Sequence, residues 1–369
     1  MSKAFPVSAK ELSRERLTEL VQTIDPSAQV ESFEVTAAKY HEDGSNEVST
    51  AGRIELDLKL AGRPKEKVVV KIARPDIFAQ AIYRNEVAFY THIRPSLDIE
   101  TPRAIGGEFD QASGTFGLAL EDLRVRGVTF PTVKTSVSVD EARSFLDTLA
   151  ALHARFWQSE ELLGELSFVA PHISGDLYKL FHDPNLVPGL VTNECNNEQF
   201  KREILQACNL SSDQLYQDYR KLQFHQATLP FTLCHGDTHI GNTYLTPDGR
   251  GGLLDWQLMA RGYFMHDVSY LIITALDVAT RRAHDRSLID YYLTRLRSNG
   301  VTNAPDLDTA WLEFRRAATW CLYIGWLTTP VENYGWDINV CNHIRLFTAY
   351  MDLDSKAALA PIPDVPEYA

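Results

Sequence analysis

The sequence is short of cysteine, of positive charge and of long apolar runs, and each shortage closes off a class of protein. Its 369 residues include five cysteines, Cys195, Cys208, Cys234, Cys321 and Cys341, an odd number with no CxxC pair. A disulfide framework or a thiolate zinc site is therefore not expected; the reduced thiols of a cytoplasmic protein are. Lysine and arginine total 36 against 49 acidic residues, a net charge of −13. Nucleic acid is accordingly not an expected partner, because phosphate contacts need a basic surface. No apolar run approaches the ~20 residues of a membrane span, and the most apolar, YLIITALDVA from Tyr270, is broken by Asp277. The opening MSKAFPVSAKELS lacks the apolar core of a secretory signal. Neither a membrane nor an obligate protein partner is expected. Internal repeats and low-complexity blocks are also missing. The remaining composition, 44% hydrophobic and 23% charged, is that of a globular chain. Its length suits two or three domains or one two-lobed enzyme.

Function concentrates in residues 231–257, FTLCHGDTHIGNTYLTPDGRGGLLDWQ. The apolar run Phe231 to Cys234 delivers the chain to His235-Gly236-Asp237. Asn242 follows five residues after Asp237. Two more short β-prone runs, joined at Pro247-Asp248-Gly249, end at Asp255. The spacing predicts a strand, a loop and a two-strand hairpin, with Asp237, Asn242 and Asp255 close together at its base. Phosphoryl transfer uses such oxygens. One carboxylate orients the attacking hydroxyl and accepts its proton, while a second carboxylate and an amide oxygen hold Mg²⁺.

HGDxxxxN followed by LDW resembles the catalytic loop and metal-binding Asp of aminoglycoside phosphotransferases and their choline-kinase-like and ecdysteroid-kinase-like relatives. It is a variant of the protein-kinase set HRDxxxxN…DFG. The resemblance implies Asp237 as catalytic base, with Asn242 and Asp255 as ligands of Mg²⁺. Trp256 stands where DFG has Phe. Upstream, KVVVKIA (67–73) reads as a buried strand interrupted by Lys71, a cation that needs partners there. It resembles the VAIK strand of kinases. The next helix, expected over 78–93, carries Glu86 fifteen residues on, and RNEVAFY resembles the helix whose Glu pairs with that lysine. The resemblance then makes Lys71, positioned by Glu86, the residue that holds the ATP phosphates. The loop HEDGSNEVSTAGR is not a GxGxxG loop, but its Ser49-to-Arg53 spacing resembles the phosphate loop of ecdysteroid-kinase-like enzymes, which implies a phosphate contact at Ser49. GLALEDL from Gly117 resembles the segment between lobes, where backbone groups near Glu121 contact adenine.

The resemblance covers about Lys71 to Asp267 and implies an α+β, protein-kinase-like bilobal fold. A small antiparallel β lobe (1–123) would precede a larger, mainly helical catalytic and acceptor-binding lobe (124–369), with ATP between them. The expected reaction moves the γ-phosphoryl of ATP to a hydroxyl of a small molecule. No activation-loop spacing to an APE-like motif follows Asp255, which argues against a protein substrate.

Local patterns add detail. Ser8 and Glu11 form a capping-box pattern for a first helix over 8–25. Residues 54–60, IELDLKL, alternate as a half-buried strand. Asp140 is the expected cap of the helix bearing LAALHARFW, and His153 on that helix reads as a packed, hydrogen-bonded residue. Leu210 to Gln226 reads as a helix capped by Ser211 or Ser212, and Pro184, Pro188 and several Asn residues point to loops before it. DWx₅Gx₄D places Asp267 as an anchor for the next helix near the catalytic loop. The helix expected over 310–327 is rich in aromatics (Trp311, Phe314, Trp320, Tyr323, Trp326) that are core or the lining of an acceptor pocket; the lining would favour a bulky apolar, even steroid-like, alcohol over an aminoglycoside-like compound. Two other readings stay open: a non-catalytic nucleotide-binding protein of the same fold, and a metal-dependent hydrolase using His235, Asp237 and His239.

Overall fold

Alternating side chains build the first half of the molecule. The computed structural model describes residues 4–39, 50–74, 80–325 and 327–365. It divides into two units, Met1–Thr129 with Leu254–Leu258, and Phe130–Leu253 with Met259–Ala369.

In the first unit, α1 (Arg14–Gln22) precedes β1 (Val30–Lys39), β2 (Gly52–Leu60) and β3 (Glu66–Ile72). The helix α2 (Gln80–Ala88) then leads to β4 (Ala104–Asp110) and β5 (Thr115–Glu121). The strands form one antiparallel sheet in the order β1-β2-β3-β5-β4. Every second residue of β2 and β3, Ile54, Leu56, Leu58, Val68, Val70 and Ile72, is buried in a core shared with Phe5, Leu17, Leu20 and Val21. The helix expected over 8–25 is split. Leu12 is extended, with its side chain in that core, and Ser13 caps α1 by accepting the Arg16 N–H. Glu11 bonds the Val7 N–H instead of completing a box with Ser8. Beyond α2, the backbone continues as a π-type turn, Phe89–Ile93. The helix α1 lies so close to β4 that a Cβ on Gly106 would stand 2.4 Å from the Leu20 carbonyl oxygen.

The second unit is mainly helical. Its first helix, α3 (Val139–Arg155), is capped by Ser138 in a full capping box with Glu141, not by Asp140. Three helices occupy the stretch read as loops: α4 (Gly175–His182), α5 (Val187–Asn197) and α6 (Gln199–Ala207). Pro188 sits in the first turn of α5, where a missing N–H costs nothing, so it starts a helix here rather than breaking one. Next comes α7 (Ser212–Gln226), capped by Ser211. The short strands β6 (Thr232–Cys234), β7 (Thr243–Leu245), β8 (Gly251–Leu253) and β9 (Ala260–Gly262) pair antiparallel, β6 with β9 and β7 with β8. Every residue of α8 (Met265–Ala275) is buried, as an all-round apolar helix must be. The remaining helices are α9 (Val278–Ser298), α10 (Leu307–Ile324), α11 (Val331–Tyr334), α12 (Trp336–Asp352) and α13 (Ser355–Leu359). Helix α3 packs on α8, α9, β6 and β8, and α10 packs on α7, α8 and α12. No helix among the described residues is long and apolar enough to cross a membrane.

Gly106→Val should destabilise the protein by about 1–3 kcal/mol, the cost of overpacking against an immovable backbone. Urea unfolding measures it, and an unchanged midpoint would show that α1 can move away from β4.

Candidate functional site

The expected site residues fall into two sets, one in each unit. Lys71 lies on the face of β3 opposite the core valines, with its side chain 16% exposed. Its Nζ is 2.6 Å from a Glu86 carboxylate oxygen and 3.3 Å from Asp255 Oδ1. Glu86 is brought there by α2, which is fixed to the sheet by Tyr83 stacking on Phe116 at 4.4 Å. The segment Leu254–Leu258 is pinned to the same unit. Trp256 is fully buried, lies flat on Phe89 at 3.6 Å and donates its Nε1–H to Thr101 Oγ1. Asn85 Nδ2 donates to the Gln257 carbonyl, and the Thr50 hydroxyl donates to Gln257 Oε1. A tryptophan fits where DFG has Phe because a flat ring-on-ring slot is built for it. Asp255 has φ +67°, a left-handed conformation uncommon outside glycine and held here by its pinned neighbours.

The electrostatics of this set favour a cation. Burial pushes Glu86 above the usual carboxylate range, Lys71 pulls it back, and the Asp255 charge raises it again. Burial works against the Lys71 ammonium, but Asp255 and Glu86 outweigh it and hold the group charged, above its ordinary value. The Lys71 ammonium meets two carboxylates, and Asp255 is the more exposed of the two. Such an oxygen suits Mg²⁺. Glu121 ends β5 with its carboxylate accepting the Arg103 N–H and paired with Arg126. The N–H groups of Glu121 and Asp122 are taken by the carbonyls of Arg103 and Lys67. Ser49 lies outside the described residues.

The second set is a loop held from beneath. Strand β6 ends at His235-Gly236-Asp237, and Gly236, at φ +86°, turns the chain. The carboxylate of Asp267, wholly buried in the first turn of α8, accepts the N–H of His235 at 2.6 Å and of Gly236 at 2.9 Å. Its Oδ2 is 3.1 Å from His153 Nε2, and His153 Nδ1 is 2.7 Å from the Tyr292 hydroxyl. The Thr238 hydroxyl donates to the Asp267 carbonyl. Burial would raise the Asp267 carboxyl, but the His153 hydrogen bond and the nearby imidazoles hold it down at about 2. The loop then closes on itself. Asn242 Nδ2 donates to the Asp237 carbonyl at 2.9 Å and to Asp237 Oδ2 at 3.0 Å. With the amide nitrogen so engaged, Asn242 Oδ1 is the atom left to meet a cation. The amide orientation follows from this bonding pattern.

The site residue that sequence reasoning left out is His153, which sits directly under the loop. Its being the one imidazole in the apolar run LAALHARFW was the available signal, but nothing in it names Asp267 as the partner. The structure does not gather a hydrolase centre. His235 Nδ1 accepts the Asp237 N–H and His239 Nδ1 the Gly241 N–H, so each imidazole spends one nitrogen on the backbone. Among the described residues, the one group that brings three metal-type ligand atoms together is His153, Cys234 and Asp267. There the carboxylate oxygens already serve backbone N–H groups, and burial pushes the Cys234 thiol up, which keeps it protonated.

The sequence model of the ecdysteroid kinase-like family matches residues 43–300. Among solved structures, a Plasmodium vivax ethanolamine kinase is similar over 90% of this chain and 84% of its own, at 12% identity and a TM-score of 0.51. The GDP complex of wild-type aminoglycoside 2'-phosphotransferase-IIIa is similar over 92% of this chain and 99% of its own, at 13% identity and a TM-score of 0.48. A choline kinase from Streptococcus pneumoniae is similar over 88% of this chain and 94% of its own, at 14% identity and a TM-score of 0.40. At such identities the likeness is one of fold, and the ethanolamine kinase carries it. No curated protein matches in sequence.

A carboxyl held at about 2 in the folded state binds its proton less readily than in the unfolded chain. Asp267 therefore contributes stability that is complete above about pH 4 and is lost as the pH falls toward 2, worth about 2 kcal/mol in full. Asp267→Asn should be less stable than wild type at pH 7, and the gap should narrow as the pH falls below about 4. Urea midpoints against pH measure it; a constant gap would remove the charge from the account.

Proposed function

The chain belongs to the ecdysteroid kinase-like family and is a small-molecule kinase, and from that premise we propose that it transfers the γ-phosphoryl of ATP, with Mg²⁺, to a hydroxyl of a small molecule. The observation that carries the reading is the Lys71 ammonium placed between Glu86 and Asp255. Lys71 grips phosphate oxygens, and Glu86 keeps its ammonium charged and aimed. As the family resemblance implies, Asp255 and Asn242 would hold Mg²⁺, which would supply neutralisation of the charge developing on the phosphates. Asp237 orients the acceptor hydroxyl and takes its proton, while the Asn242 amide steadies the carboxylate. Most of the rate enhancement comes from positioning and charge stabilisation.

The acceptor is a neutral alcohol with a bulky apolar body. Support comes from rings packed beside the loop. His266 Nε2 is 3.3 Å from the Gly236 carbonyl, and its ring stacks on Trp320 of α10 at 4.0 Å. Tyr219 of α7 stacks on Tyr323 of α10 at 4.4 Å. Trp320, Tyr219 and Tyr323 are buried in the packing beside the loop. Burial lowers His266 and His182 to about 4, which leaves these imidazoles neutral at physiological pH. An uncharged aromatic wall fits a neutral alcohol better than a polycation. Trp326 lies outside the described residues.

Thermal stability with and without ATP and Mg²⁺ tests the nucleotide half. Ligand at ~100 times its Kd should stabilise wild type by about 2.7 kcal/mol. The gain should need Mg²⁺ and vanish in Asp255→Ala, whereas no gain in wild type at millimolar nucleotide would sink the reading. Asp237→Asn should keep that gain and lower kcat by about 10²–10⁴-fold; an Asp237→Asn enzyme with wild-type kcat would take the base role from Asp237.

A further inference from the structure

The register of the first sheet sets three cations side by side. Lys39 of β1 lies opposite Arg53 of β2, and Arg53 lies opposite Lys71 of β3. Directly opposed residues of antiparallel strands point to the same face and stand about 5 Å apart. Ala38 and Ile54, the chain neighbours of Lys39 and Arg53, pack into the core, so the three cations share the other face, that of Lys71. Like charges in this arrangement repel.

The row is confined to one level of the sheet. Two residues along, the same face carries Ala37, Glu55 and Val69, and two further along Glu34, Asp57 and Lys67. There the opposed carboxylates Glu34 and Asp57 are bridged by Lys65 at 3.6 and 2.9 Å. No carboxylate among the described residues bridges Arg53 to Lys71. Lys71 meets Glu86 and Asp255, whereas Arg53 meets Glu55.

The backbone ties Arg53 to the same set. The Thr50 hydroxyl, three residues earlier, donates to Gln257 Oε1 at 2.7 Å, and the Tyr83 hydroxyl donates to the Thr50 carbonyl at 2.6 Å. The start of β2 is thus fastened both to the segment that carries Asp255 and to the helix that carries Glu86. The Arg53 side chain, by contrast, is loosely held. It is 44% exposed and reaches Glu55 Oε1 with one nitrogen at 3.3 Å. An ion pair so exposed contributes little. Glu55 does not depend on it, because Arg124 holds the other oxygen at 2.7 Å. Arg53 can therefore swing to an incoming anion without orphaning a carboxylate.

We propose that Arg53 is a second phosphate-binding residue, taking the phosphate chain of the nucleotide one strand beyond Lys71. The inference rests on the phosphotransfer reading, in which Lys71 holds phosphate. A guanidinium suits the role because its fork meets two phosphate oxygens at once, and an anion laid along the row removes the repulsion between its cations. The row recognises a chain of phosphates rather than a base or a sugar, so inorganic tripolyphosphate is a sufficient ligand and a monophosphate a poor one.

Calorimetric titration of the full-length protein with ATP, AMP and inorganic tripolyphosphate, each with Mg²⁺, tests this. Wild type should bind tripolyphosphate, and should bind ATP at least ~10-fold more tightly than AMP. Arg53→Gln should weaken ATP and tripolyphosphate by the same factor, ~10-fold or more, and AMP by less. Arg53→Lys, which keeps the charge without the fork, should fall between. Without ligand, Arg53→Gln should melt no lower than wild type, since the substitution relieves repulsion from Lys39 and Lys71. Unchanged ATP and tripolyphosphate affinity in Arg53→Gln, with wild type still binding ATP, would overturn the inference and leave the phosphotransfer reading standing. So would a lower melting temperature of the ligand-free variant, which would make Arg53 a structural residue. The wild-type titrations need no variant: no binding of tripolyphosphate up to ~10 mM while ATP binds would also overturn the inference, and no binding of ATP would remove both it and the reading beneath it.

Discussion

A single buried carboxylate holds the loop on which the proposed chemistry depends. Asp267 has no solvent to stabilise its charge, so it must find donors, and the nearest are the N–H groups of His235 and Gly236 and the imidazole of His153. Each bond serves both sides. The carboxylate is stabilised, and a loop that could not form a strand or a helix has its backbone groups satisfied. Asp237 follows directly and inherits its position. Because α8 is buried on every side, the carboxylate it carries is packed on all sides, and the loop is referenced to a wholly buried helix.

The first unit solves the opposite problem. Lys71 is a charge placed where a β-strand would normally put a hydrophobe or send it to water, and it is tolerated because Glu86 and Asp255 meet it. Removing one partner of a buried pair is far costlier than never having had the pair. The left-handed backbone of Asp255 is a second strain in the same place, and the Phe89–Trp256 stack and the Gln257 hydrogen bonds hold it. Strain and buried charge together suit a site poised for a polyanion and a cation.

The sequence by itself determined whatever rests on local periodicity and spacing. The alternation of residues 54–60 set the buried face of β2, the Ser211 cap set the start of α7, and HGDxxxxN set the distance along the chain from Asp237 to Asn242, close enough for the amide to reach back. Where two local signals competed, core packing or a further local hydrogen bond chose. Ser13 displaced Ser8 as a cap because Leu12 is drawn into the core, Ser138 displaced Asp140 because Glu141 completes its box, and α4 to α6 formed through prolines and asparagines that read as loops. The structure alone decided the pairings that cross long stretches of chain: Lys71 with Asp255 and His153 with Asp267. Burial of a charge or an amide creates the demand for a partner, and only the folded chain determines which distant group answers it.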